Sequence, residues 1–156
     1  MQGLILNEDG YVTYPYDVFR PIKEYVVSLN WRITNVECGG DGSSYAFPFE
    51  QTNDYFIDGE SLFNMLNDHP RMQWWWGALS GFNKDIPWDE IRKNPIIDIS
   101  MKLPYLENEV HHLEPLAVFE VIAFDSSETY VLADDPAIVN RLCEAFPNAE
   151  NLEKYV

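Results

Sequence analysis

The sequence predicts an α+β fold, a mostly antiparallel β-sheet with three or four helices packed on it. Three observations carry this expectation. The β-rich runs Leu116 to Phe124 and Glu128 to Ala133 flank the polar turn Asp125-Ser126-Ser127, a hairpin signature. Apolar residues recur at helical spacing over Val18, Ile22, Tyr25 and Leu29, and again over Ile138, Val139, Leu142, Cys143 and Phe146. The 156 residues are 46% hydrophobic and include five Trp, nine Tyr and nine Phe. A chain of that size buries roughly 70% of its unfolded surface in one core. No repeat or long linker divides it, so residues 1–156 read as a single α+β domain.

In chain order, Leu4 to Leu6 and Tyr11 to Tyr14 flank a turn signal and are expected to form a short hairpin. The Val18–Leu29 helix is interrupted by Pro21. This proline either occupies the first turn after an Asp17 cap or separates a short turn from a helix starting near Ile22. Trp31 to Glu37 reads as a strand ended by Gly39-Gly40. Tyr55 to Ile57 is a brief second strand, and Gly59 to Asn67 a short helix carrying Leu62, Phe63 and Leu66. Met72 to Leu79 is a strand dominated by Trp74, Trp75 and Trp76. Simple alternation turns Trp74 and Trp76 to one face and Trp75 to the other. A helix starts around Asp85 to Pro87, with Asp89 and Glu90 in its first turn and Lys93 near its end.

Leu116 to Phe124 is apolar on both faces apart from Glu120, as a central strand covered on both sides would be. The last helix has Asp135 as its cap, Pro136 at its first position and Pro147 at its end. Its stripe is expected to bury Cys143. Cys38 falls in a probable turn. Two cysteines are too few for a disulfide framework, and the N-terminus lacks the charged head and apolar run of a signal peptide. A cytoplasmic protein with reduced thiols is the expectation.

Charge narrows the classes of partner. The net charge is −16, and no Lys or Arg occurs between Arg32 and Arg71 or between Lys102 and Arg141. Those two windows hold fifteen Asp and Glu residues. Nucleic acid is excluded as a partner because binding it requires basic residues that displace phosphate counterions. Anionic membrane surfaces are excluded by the same sign of charge. A basic protein, a cation or no particular partner remains.

No motif points to chemistry. Cys38-Gly39-Gly40-Asp41-Gly42-Ser43-Ser44 lacks the Gly-Lys-Ser/Thr ending of a phosphate loop. Ser80 in Gly77-Ala78-Leu79-Ser80-Gly81 misses the nucleophile elbow by one position. His111 and His112 are adjacent, so their side chains diverge and do not share a metal ion. Glu109, His111 and Glu114 would supply ligands only if a loop folded them inward, and a solvated polar loop is expected there. No cofactor, metal or catalytic residue is assigned, and the chain reads as non-enzymatic.

Tyr16-x-x-x-x-Pro21-Ile22 followed by Trp31-x-Ile33 resembles a family of small bacterial proteins catalogued as a domain of unknown function. Ile57-x-Gly59-x-x-Leu62 and the Phe124-Asp125-Ser126-Ser127 turn leading to Tyr130 extend the likeness. The resemblance implies a fold and brings no catalytic residues with it. Size, acidity and the α+β pattern are also similar to acidic immunity proteins of bacterial toxin systems, many of which block a basic nuclease. The expected function is therefore an acidic binding protein, in its specific form an immunity-type inhibitor of a basic toxin. Asp41, Glu50, Asp54, Asp58, Glu107 and Glu109 would supply the charge, with Tyr45 and Trp75 as aromatic anchors. The alternative is a structural or oligomerising domain, self-associating through Trp74 to Trp76, whose acidity serves solubility.

Overall fold

Residues 1–6, 13–40, 42, 47–104 and 108–156 are described by a computed structural model. Within them, seven strands form one antiparallel sheet. They are Gln2–Leu6 (β1), Leu29–Gly39 (β2), Asp54–Asp58 (β3), Gln73–Asn83 (β4), Phe119–Phe124 (β5), Glu128–Ala133 (β6) and Glu150–Asn151 (β7). Their spatial order is β3-β2-β4-β5-β6-β1-β7. The predicted hairpin is β5–β6, and β5 lies between β4 and β6 with both faces covered.

The expected N-terminal hairpin is not what β1 forms. β1 pairs with β6, Gln2 opposite Ala133 and Leu6 opposite Thr129, and on its other edge with β7. Thr13 instead bridges to Trp74. The reason is burial: Gly3 to Leu6 are buried on both faces, and a two-stranded hairpin at the rim covers only one. Residues 7–12 of the predicted turn lie outside the described residues.

Among the described residues five α-helices, Pro15–Phe19 (α1), Lys23–Ser28 (α2), Gly59–Asp68 (α3), Trp88–Ile91 (α4) and Pro136–Ala145 (α5), join the sheet. α1 and α2 are halves of one helical stretch broken by a 3₁₀ turn at Arg20–Ile22, which contains Pro21. α1, α2, α3 and α5 cover one face of the sheet. Val18, Ile22, Leu62, Leu66, Ile138 and Leu142 press there against Leu6, Ile33, Leu79, Val121 and Val131. Phe19, Trp31 and Phe119 form the aromatic centre, with the Trp31 and Phe119 rings edge-on at 5.5 Å. Trp31 Nε1 donates to Val26 O at 3.0 Å, tying β2 to the end of α2. A side chain at Gly59 would meet Val26 O at 2.0 Å, so only glycine lets α3 start against that helix end. Cys143, expected in the α5 stripe, is exposed. It directly follows the buried Leu142, and the turn of the helix carries it out of the sheet contact.

The second face has a different cover. From Arg92 to Val118 the described chain forms no α-helix or strand, yet it crosses the sheet and seats Ile99 and Leu113 against Ala78, Ile122 and Leu132. Leu152 closes the same cluster from the C-terminal end. α4 packs Ile91 against Phe82 and Ala117. Glu114 is 4% exposed. The stretch expected as a solvated polar loop around His111 is therefore folded inward, because its leucine and glutamate side chains find apolar and ionic partners on the sheet.

Trp74 to Trp76 depart from simple alternation. Glu37 pairs with Trp76 and Cys38 with Trp74, so Trp75 is an extra residue in β4, a β-bulge. Trp74 is buried on the helix-covered face, and Trp76 packs on the opposite face at 4.9 Å from Phe124. A Cβ at Gly77 would lie 2.4 Å from Trp74 Cε3, so the Trp74 ring uses the space that glycine leaves.

Candidate functional site

A charged network crosses the second face, and its centre is Arg32, buried in the middle of β2. Alternation on β2 puts Trp31 and Ile33 on the helix-covered face and therefore Arg32 on the other. Its Nε and Nη2 donate to Asp54 Oδ1 and Oδ2 of β3 at 2.8 and 3.0 Å, a bidentate pair. Nη1 donates to Glu114 Oε1 at 2.9 Å and to Asn94 O at 3.1 Å. One guanidinium thus links an edge strand, a central strand and two points of the irregular segment.

Glu120, the single acid of β5, is fully buried. Its Oε1 accepts from Ser80 Oγ at 2.8 Å and from Glu114 N at 3.0 Å. Its Oε2 accepts from Leu113 N at 2.8 Å and lies 3.0 Å from His112 Nδ1. Four partners fill the accepting capacity of a carboxylate. Ser80 Oγ donates to one oxygen of this carboxylate and His112 Nδ1 meets the other, so both side chains are held by the same buried group.

The far ring nitrogen of His112, Nε2, lies 3.1 Å from Asp134 Oδ1. Carboxylates only accept, so both contacts are hydrogen bonds only when the ring is an imidazolium. Burial opposes that charge, but the hydrogen bonds and charges of Glu120 and Asp134 outweigh it and raise the His112 pKa above the ordinary histidine value. Burial pushes the Glu114 carboxyl up and Arg32 pulls it down. The charges of Glu120 and Asp54 push it up again, to about 7. Glu114 Oε2 is buried with no hydrogen-bond partner among the described residues.

Beside this network, at the bulged end of β2 and β4, a cleft of about 300 Å³ opens between the sheet and the irregular segment. Trp76, Glu37, Asn35 and Asn53 line it from the sheet side, and Asp98, Ile99 and Ser100 from the segment. Asn35 has the left-handed φ of 58° that asparagine tolerates at a bulge, and its Nδ2 donates to Ile97 O at 2.8 Å. The described lining contains two carboxylates, an indole and no Lys or Arg. Trp75, 37% exposed, stands next to Trp76, with its ring over Gly39. Its carbonyl accepts from Ser126 N at 3.0 Å, which ties the bulge to the β5–β6 turn.

The predicted site residues are dispersed. Asp41, Tyr45 and Glu107 lie outside the described residues. Asp54 is engaged with Arg32, and Asp58 caps α3, accepting from Ser61 N at 2.9 Å and Ser61 Oγ at 2.7 Å. Glu50 accepts from Cys38 Sγ at 3.2 Å and from Phe47 N at 3.0 Å. Glu109 and Trp75 are exposed. Glu37, Asp98 and Trp76, which line the cleft, were not among the predicted residues. The buried charges had a signal: Arg32 and Glu120 are single charges inside strand-like apolar runs, and a buried charge requires a partner.

Among the described residues no group of three or more His, Cys, Asp or Glu is arranged to hold a metal ion. No helix among the described residues is long and apolar enough to cross a membrane. Compared with protein-family models, curated proteins and solved structures, the chain matches none.

Proposed function

We propose that this chain is a non-enzymatic binding protein that captures a basic protein partner, in the specific form of an immunity-type inhibitor of a cationic toxin or nuclease. The observation that carries the reading is the cleft beside the β4 bulge. Glu37 and Asp98 offer negative charge with no Lys or Arg among the described lining residues, and Trp76 offers an aromatic wall. A lysine or arginine side chain is the complement of such a cleft, through charge and cation–π attraction together. Trp75 adds an exposed aromatic contact at the rim, the residue type that dominates binding hot spots. The net charge of −16 would speed encounter with a cationic partner without determining where it docks.

Affinity capture from host cells at low ionic strength tests this. A basic protein should be retained stoichiometrically and released by salt. The double variant Glu37→Lys/Asp98→Lys should lose it. Recovery of no basic protein, or capture undiminished in the variant, overturns the reading.

A further inference from the structure

The described residues between Arg92 and Ala117 lie on the sheet without α-helix or strand pairing, and polar clamps fasten them. Arg32 Nη1 holds Asn94 O, Asn35 Nδ2 holds Ile97 O, and the Glu120 carboxylate holds the backbone N–H groups of Leu113 and Glu114. Glu114 sits where these clamps meet. Its carboxyl takes one bond from Arg32 while its own amide is bound by another carboxylate, Glu120.

We infer that residues 108–117 form a proton-controlled latch: a neutral Glu114 holds them on the sheet, and an ionised Glu114 loosens them. Three features of the geometry support this. Glu114 Oε2 is buried with no donor to stabilise a charge on it. Arg32, the cation it faces, is already engaged by both oxygens of Asp54. Ionisation would place a second buried anion beside Glu120. The groups acting on Glu114 are Arg32 from β2, Asp54 from β3 and Glu120 from β5. Through Glu120 it is linked to Ser80 on β4, to His112 on the segment and, beyond His112, to Asp134.

The sign is the same for both titrating groups. As pH rises, Glu114 gains an unwelcome charge and His112 loses the proton that lets it donate to two carboxylates. Both changes weaken the hold on the segment. Asp98 to Ser100, one wall of the cleft, belong to the same segment. The latch is an inference about the free protein and does not depend on what the cleft binds.

Amide hydrogen exchange by NMR on the free protein, expressed as protection factors, reads it directly. Between about pH 6 and about pH 8, protection at Leu113 and Glu114 should fall roughly tenfold or more, while Val121 and Val131 in the central hairpin stay constant. In Glu114→Gln, neutral throughout, the fall at residues 113 and 114 should be clearly smaller, leaving only the part that His112 contributes through Glu120. Equal loss at all four amides, no loss at any, or an unchanged slope in Glu114→Gln overturns the latch. A carboxyl ¹³C titration of the wild-type protein tests it without any variant. The Glu114 midpoint should lie well above the ordinary glutamate value, and a midpoint within about a unit of that value overturns the latch as well.

Discussion

The two faces of the sheet are held by different forces. Under the helices the contact is dry, built from Phe19, Trp31, Phe119 and branched aliphatic side chains. Its attraction is non-directional and indifferent to pH. Under the irregular segment the sheet offers Arg32, Ser80 and Glu120 among its apolar residues, and the segment answers with Glu114, His112 and backbone amides. Regular helices need only an apolar stripe to dock. A segment held internally by scattered turn bonds, such as His111 N to Pro104 O and Ala117 N to Glu114 O, needs more of its backbone groups met by the surface beneath it, and the buried charges do this. The difference locates responsiveness: the helix face supplies a constant, and the segment face supplies a contribution that varies with protonation.

The largest effects should come from breaking each face at its centre. Phe119→Ala should cost about 3–5 kcal/mol in denaturant unfolding, with the same value at mildly acidic and mildly alkaline pH. Arg32→Ala should cost a similar ~3–5 kcal/mol, because it leaves the buried Glu114 and the half-buried Asp54 without their guanidinium partner. That loss should grow with pH as Glu114 ionises. Arg32→Met combined with Glu114→Leu should recover most of it, since an apolar replacement of a buried pair is often neutral. A double variant as unstable as Arg32→Ala would mean the pair contributes more than its own desolvation.

The pH dependence itself ranks next. The Glu114 pKa is raised from 4.5 to about 7 on folding. Its contribution is therefore complete below about 4.5 and lost as pH rises through about 7, a change on the order of a few kcal/mol. The raised His112 pKa acts in the same direction: its contribution is present below the ordinary histidine value of 6.5 and lost as pH rises through its folded pKa. Asp58 has the opposite sign. Ser61 depresses its pKa, so its contribution disappears as pH falls below the ordinary aspartate range. Stability should peak in mildly acidic solution, and Glu114→Gln should flatten the alkaline limb of a melting-temperature profile while leaving the acid limb in place.

Smaller effects test the elements at the edges. Asp58→Ala removes the cap of α3 and should cost about 1 kcal/mol. Trp75→Ala should change stability by no more than about 0.5 kcal/mol, because the ring is a surface residue of a bulge, whereas Trp74→Ala opens the helix-side core and should cost about 3–5 kcal/mol. Equal costs for the two tryptophans would contradict the bulge assignment.

The sequence by itself determined the features that neighbours within a few residues decide. The α5 helix runs from an Asp135 cap that accepts from Ala137 N at 2.8 Å through Pro136 at its first position. The β5–β6 hairpin and the two-sided burial of β5 were legible from the polar turn and the apolar runs, and the acidity from composition alone. Only the tertiary structure decided the rest. β1 pairs with β6 because its two buried faces need an interior place, and no local signal names that partner. The three tryptophans separate because a bulge, set by pairing with β2, shifts the register between Trp74 and Trp76. The acids expected to serve a partner at Asp54 and Asp58 are used within the fold. Glu114 and Arg32 are 82 residues apart, and their hydrogen bond exists because a strand and an irregular segment meet on one face of the sheet. Buried charges must be paired, which sequence can state. Which charges meet is a matter of topology.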